Sequence, residues 1–335
     1  MSKPRMYETI DVYAKLVYES FLHTLHQRSF LFVAVLASFA YSGAVVLNVL
    51  NLALNAASIA NLEKSVIAVI SPFAWFLGNI STTSEAGFNV LSFTVALVVS
   101  ITLFCLGVLA QQILVNGINR NSNKPAEVVK LSGQFNFRHL IDVLFLNVII
   151  FIANLSLLSV TVYALNLIGK SSVMVQTMGT IGTYTVLLPL AFAVNAIAMQ
   201  SIIRVVTHST HTLEAIRIAI KEFYDYPLAM LEMALLIFAV QFLLVLGILF
   251  FVLLVAVLGL LFLSIVSGSS SLLVFQSGSL SLAIIFAGLL IFGVGLMTSF
   301  TFHAWVHFSH HLHHSGIIPV IHHLTDSIKL AFKRS

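Results

Sequence analysis

Long apolar runs separated by short polar stretches organise this chain. They lie at about 30–50, 90–115, 141–165, 175–205, 234–262 and 281–305, each matching the ~20 residues a helix needs to cross a ~30 Å hydrocarbon layer. In that solvent every backbone amide must be bonded within its own segment, so the runs predict helices and exclude open strands. The expected fold is an all-α integral membrane protein with six transmembrane helices, a single polytopic membrane domain over 1–335.

The polar stretches carry a second pattern. Over 7–28, Glu8, Asp11, Lys15, Glu19, His23 and His26 fall on one helical stripe, and Ile10, Tyr13, Val17, Phe21 and Leu25 on another. An amphipathic helix beside a span lies most simply in the interface plane. Residues 211–226 repeat the design, with Glu214, Arg217, Lys221 and Asp225 opposite Leu213, Ile216, Ile220 and Phe223, before Pro227 breaks the helix. The tail 317–333 does so again, with Ile317, Ile321, Leu324 and Ile328 opposite His322, Asp326 and Lys329. The stretch 66–78 is interrupted by Pro72 and carries Trp75, which predicts an interfacial or re-entrant segment. Asn79-Ile80-Ser81 beside it fits a glycosylation sequon, a pattern short enough to arise by chance. Pro189 predicts a kink in the fourth span. The apolar stretch 228–266 would be ~58 Å long as one helix, so its first turns, with Glu232, belong outside the hydrocarbon.

Composition agrees with a lipid solvent. The chain is 59% hydrophobic and 8% charged, against about 25% charged in soluble domains. Lys and Arg alternate along the successive polar segments as 4/1/4/1/3/0/3, which by the positive-inside rule places both termini in the cytoplasm, N-in and C-in, at a plasma or inner membrane if the source is prokaryotic. The N-terminal segment is of mixed charge and no small-residue cleavage site follows it, so the first span is expected to be retained. Cys105 is the single cysteine, which excludes an internal disulfide and a cysteine-based metal cluster.

No charged residue sits at the centre of a span; Asp142 and Glu232 lie near span starts. Coupled transporters keep ionisable groups at mid-membrane, so this lowers that class. Asn147, Asn154 and Thr161 recur every seven residues in the third span, and Thr177, Thr180, Tyr184 and Asn195 line the fourth. They read first as interhelical hydrogen bonds, at roughly 0.6 kcal/mol each, with a polar solute pathway as the alternative. Gly288, Gly293 and Gly295 read as points of close helix contact. There is no GxSxG, Walker A loop or GxGxxG, and the basic residues are spread along membrane edges, which excludes a nucleic-acid partner.

The stretch His303–His323 holds eight of the 13 histidines. If the sixth helix continues past the membrane, His303, His307, His310 and His314 share an arc of roughly 60° at 100° per residue. Two imidazoles one turn apart can share zinc or another transition metal, and His208, His211 and His311 would supply further ligands. The alternative is an interfacial helix end, where imidazoles complement the C-terminal dipole and anionic headgroups. The spellings His303-Ala-Trp-Val-His307 and His307-Phe-Ser-His-His311 resemble the HxxxH and HxxHH boxes of membrane-bound di-iron desaturases and hydroxylases. The resemblance covers about ten residues; that family spreads its boxes over several loops, whereas these two overlap on one helix with no third box, so its activity is not carried over. The leading expectation is a non-enzymatic scaffold or accessory subunit of a membrane complex, in contact with the bilayer and with a protein partner or a second copy. The alternatives are a transporter or lipid-handling protein built on the third and fourth spans, and a metal-binding membrane protein. No cofactor is expected apart from a metal at the histidines.

Overall fold

The computed structural model describes residues 6–27, 29–40, 90–120, 137–168, 172–267 and 272–315. Among them every regular element is an α-helix. The order is α1 (Met6–His26), α2 (Ser29–Ser38), α3 (Val90–Asn119), α4 (Phe137–Ile168), α5 (Val173–His208), α6 (Thr212–Asp225), α7 (Pro227–Ser267) and α8 (Leu272–Ser315). Among the described residues four stretches are long and apolar enough to cross a membrane: Ile101–Asn119, His139–Leu165, Met174–His208 and Pro227–Gly259. The re-entrant segment 66–78, the sequon, the remainder of the first span, the polar segment 121–136 and the tail 317–333 fall outside the described residues.

The helices are longer than the apolar runs that predict them. At 41 residues α7 spans ~60 Å, twice a hydrocarbon core, and α5 continues through Pro189. The surplus length is packed against protein. Buried residues come from α1, α2, the second half of α3, one face along α4, the second half of α5, α6, the first turns of α7 and the last turns of α8. Phe30, Leu114, Leu146, Met199, Met230, Phe300 and Trp305 are each less than 2% exposed. The other halves are apolar and exposed, as at Met174, Met178 and Ile181 on α5, Phe250, Phe251, Leu254 and Leu258 on α7, and Ile285 and Ile291 on α8. One pole of the bundle is therefore a protein-type core, and the rest presents apolar side chains outward.

Small residues set the close crossings. A Cβ on Gly295 would lie 2.9 Å from the Leu31 carbonyl oxygen and 2.7 Å from Val35 Cγ2, so the glycine is what lets α2 cross α8 at backbone distance. Gly107 gives α2 the same access to α3, since its Cβ would stand 2.7 Å from the Ala40 nitrogen. Among the described residues a Cβ on Gly288 would meet nothing within 4 Å, whereas Gly293 and Gly295 make the expected contact.

Polar pairs fix the remaining helices. Asn147 on α4 donates to Gln111 Oε1 on α3 at 3.0 Å, and Gln241 on α7 donates to Thr301 on α8 at 2.6 Å. Arg204 on α5 donates through Nε to Glu222 Oε2 on α6 at 3.2 Å and meets Oε1 through Nη2. Ser209, with a left-handed φ of 55°, closes α5 and turns the chain toward α6. Asp142 of α4 then caps the start of α6: it accepts from the Thr212 hydroxyl at 3.0 Å, and its charge sits at the positive end of the helix dipole.

Candidate functional site

The last helix runs without a break through the histidines to Ser315, so its turns carry His303, His307 and His310 onto the face that meets α1 and α3. Their neighbours come from the start of the chain. On α1 the buried row is Tyr13, Leu16, Ser20 and Thr24, followed by Gln27 just past the helix end. This row is rotated from the apolar stripe that periodicity picks out, and Leu25 of that stripe is 40% exposed. The rotation brings Thr24 and Gln27 to His303 of α8, at 3.4 Å and 3.1 Å, and leaves the apolar flank of the helix for a different surface. That flank, Ala14, Val17, Tyr18 and Phe21, forms with Leu236 and Val240 of α7 an apolar groove of about 410 Å³.

His303 is the anchor, at 1% exposure. Its Nδ1–H donates to the Ser299 carbonyl at 2.8 Å, which makes Nε2 an acceptor. Nε2 stands 3.1 Å from the Gln27 carboxamide, and the bond is complete when that carboxamide presents its NH₂ group. Thr24, bonded to the Ser20 carbonyl at 2.8 Å, lies 3.4 Å from Nδ1. The His23 ring stacks 5.4 Å from His307 and 6.3 Å from His303, and those two are 6.4 Å apart. His310 Nε2 and Asn119 Oδ1, 2.9 Å apart, join α8 to α3.

These side chains enclose a cleft of about 330 Å³ whose polar lining is His23, Gln27, Asn119, His303, His307 and His310. The His307 imidazole is held below its usual range by burial first and then by His23; His310 and His311 act in the same direction and Glu19 against it. Elsewhere on α1, the Tyr13 hydroxyl is held above its usual range by burial, then by the nearby charge of Glu232. Glu232 thus faces α1, which accounts for a carboxylate among the first turns of α7.

Of the histidines the sequence singles out, the fold brings His303, His307 and His310 together. His311 is exposed, and the side chain of His314 lies outside the described residues. His208 and His211 sit at the α5–α6 junction, where His208 Nδ1 is 2.7 Å from the Thr207 hydroxyl and His211 Nδ1 is 3.6 Å from Asp142. Among the described residues no three His, Cys, Asp or Glu side chains are placed to hold a metal ion. The three stacked rings lie within 8° to 26° of parallel, whereas ligands on one metal point their nitrogens at a common centre.

Sequence reasoning misses His23, Gln27 and Asn119. Periodicity assigns His23 to the polar stripe with Lys15 and Glu19, and only the row Ser20, Thr24, Gln27 signals a second polar face meant for a neighbour. Of the polar residues in the third and fourth spans, Asn147 pairs with Gln111 and with the Val143 carbonyl at 2.9 Å. Thr161 bonds the Leu157 carbonyl of its own helix at 2.8 Å. Asn154, Thr180 and Asn195 are half-buried.

Comparison with known proteins identifies no relative: no family model matches the chain, and neither does a curated protein or a solved structure.

Proposed function

We propose that this chain is a non-enzymatic scaffold or accessory subunit of a membrane assembly, with six spans and both termini on the cytoplasmic side. The observation that carries the reading is how five pairs of polar side chains are used. Gln111 with Asn147, Gln241 with Thr301, Arg204 with Glu222 and Asp142 with Thr212 each join two helices, and His303 with Gln27 joins the N-terminal helix to the last one. Groups bonded in this way hold geometry; a transport route or an acid–base site needs them turned toward a solute. The outward apolar halves of α5, α7 and α8 supply a surface for lipid and for a partner helix. On that surface, among the described residues, Gly182, Gly247 and Gly288 have open space where a Cβ would stand, and such notches admit a neighbouring helix at close range.

Extraction from native membranes in a mild detergent, followed by size-exclusion chromatography, tests the reading. The expected result is a second protein at fixed stoichiometry, displaced when Gly247→Phe and Gly288→Phe fill the notches. A chain that migrates alone, or a companion indifferent to both substitutions, refutes it.

A further inference from the structure

We propose that the cleft between α1, α3 and α8 is a binding site for a phosphate oxyanion, supplied by a phospholipid headgroup or by free phosphate. This goes beyond the scaffold reading and does not depend on it. The cleft's volume of about 330 Å³ lies within the range of small-ligand pockets. Among the described residues its polar lining is four imidazoles and two carboxamides with no carboxylate, and apart from His303, whose ring nitrogens are taken, these groups can donate.

The surrounding charges favour an anion. On α1 the nearest acid, Glu19, stands one turn before His23 and lies 3.7 Å from Lys15. On α8 the neighbour is His311, and on α3 the exposed Arg120 follows Asn119 directly. Clustered imidazoles oppose one another's protonation, and burial adds to that opposition. A phosphate group in the cleft adds negative charge that offsets this opposition at His307, and the rings of His23 and His307 donate hydrogen bonds to its oxygens. A metal is the weaker match. His303 is already bonded through both ring nitrogens to Ser299 and Gln27, and His310 through Nε2 to Asn119. The position also suits a headgroup, because the cleft lies where the apolar run of α8 gives way to polar residues, and basic pockets between membrane helices recognise lipid headgroups at that level.

The full chain, purified without a histidine tag, is titrated with inorganic phosphate by calorimetry at pH 6 and pH 8. In parallel it is reconstituted in vesicles of phosphatidylcholine and phosphatidylglycerol, and retained lipid is counted by native mass spectrometry. Phosphate binding that is at least tenfold tighter at pH 6, and at least tenfold weaker in H23Q/H307Q, supports the site. A retained phosphatidylglycerol that the double variant loses assigns the phosphate to lipid, and phosphate binding with no such lipid assigns it to the free ion. Asn119→Ala, at the exposed rim, is the check against misfolding: it keeps the circular dichroism of the parent and binds phosphate more weakly. Binding of neither ligand, binding equal in parent and variants, or stoichiometric zinc uptake that excludes phosphate overturns the proposal.

Discussion

Replacing Glu222 strands a charge. Its carboxylate is met by the Arg204 guanidinium through both oxygens, and the two side chains are only 9% and 13% exposed. In Glu222→Leu the guanidinium keeps its burial and loses its counter-ion, and removing one member of a buried pair costs about 3–5 kcal/mol. At roughly 1.4 kcal/mol per factor of ten, the folded-to-unfolded ratio falls by about two to three and a half powers of ten. The second substitution reverses the sign of the argument. With Arg204→Met added, no charge remains to desolvate, and replacing a buried ion pair by apolar groups of similar volume is commonly neutral or stabilising by about 1–4 kcal/mol. The double variant is thus expected to recover most of what the single one loses. Arg204→Lys falls between, because an ammonium cannot make the two parallel bonds that a guanidinium makes. Circular dichroism of reversible unfolding in mixed micelles measures all four proteins. A Glu222→Leu loss below about 1 kcal/mol, the range of exposed pairs, refutes the claim that the pair is desolvated. A double variant as unstable as the single one refutes the claim that the stranded charge is the cause.

Other expectations use the same assay. Gly295→Ala drives a methyl toward the Leu31 carbonyl and should cost about 1–3 kcal/mol, whereas Gly288→Ala meets open space and should be tolerated; equal effects would mean that α2 does not cross at Gly295. Asn147→Leu removes the donor that Gln111 Oε1 accepts from, and a loss of about 0.6–1.7 kcal/mol is expected, with no loss counting against an interhelical role. Acid should destabilise the pole where α1 docks. His307 is held below its usual range in the fold, while in the unfolded chain it binds a proton near pH 6.5, so the unfolded state carries more protons and stability falls as pH drops below that value. His307→Gln should flatten that part of the pH profile, and an unchanged slope would mean that the fold does not oppose protonation of this ring.

Much of the fold is legible in the sequence because two periods are strong. Apolar runs forecast α3, α4, α5, α7 and α8, and the 3.6-residue stripe forecasts α1 and α6 to within a few residues. The meeting of His303, His307 and His310 is legible for the same reason, since it needs only that α8 continue straight. What faces them is not. His23 and Gln27 reach the cleft through the angle at which α1 crosses α8, and that angle is set by contacts such as Phe21 against Phe300, ring centroids 6.4 Å apart, which no local pattern encodes. Asp142 shows the same limit from another side. As a carboxylate near a span start it reads as an interfacial residue, but its partner is the first turn of a helix 70 residues later.

The bond between Gln27 and His303 joins residues 276 positions apart. During synthesis, at roughly 5–20 residues per second, about 14–55 s separate their appearance. Through that interval α1 exists without the last helix, and the Gln27 carboxamide has only water, headgroups or an insertion factor to bond. The last helix closes the bundle as a bolt closes a door. Truncation anywhere before Gly295 should therefore leave an inserted chain whose first helix never docks, so that quality control of this protein amounts to detecting an N-terminal helix still waiting for its C-terminal partner.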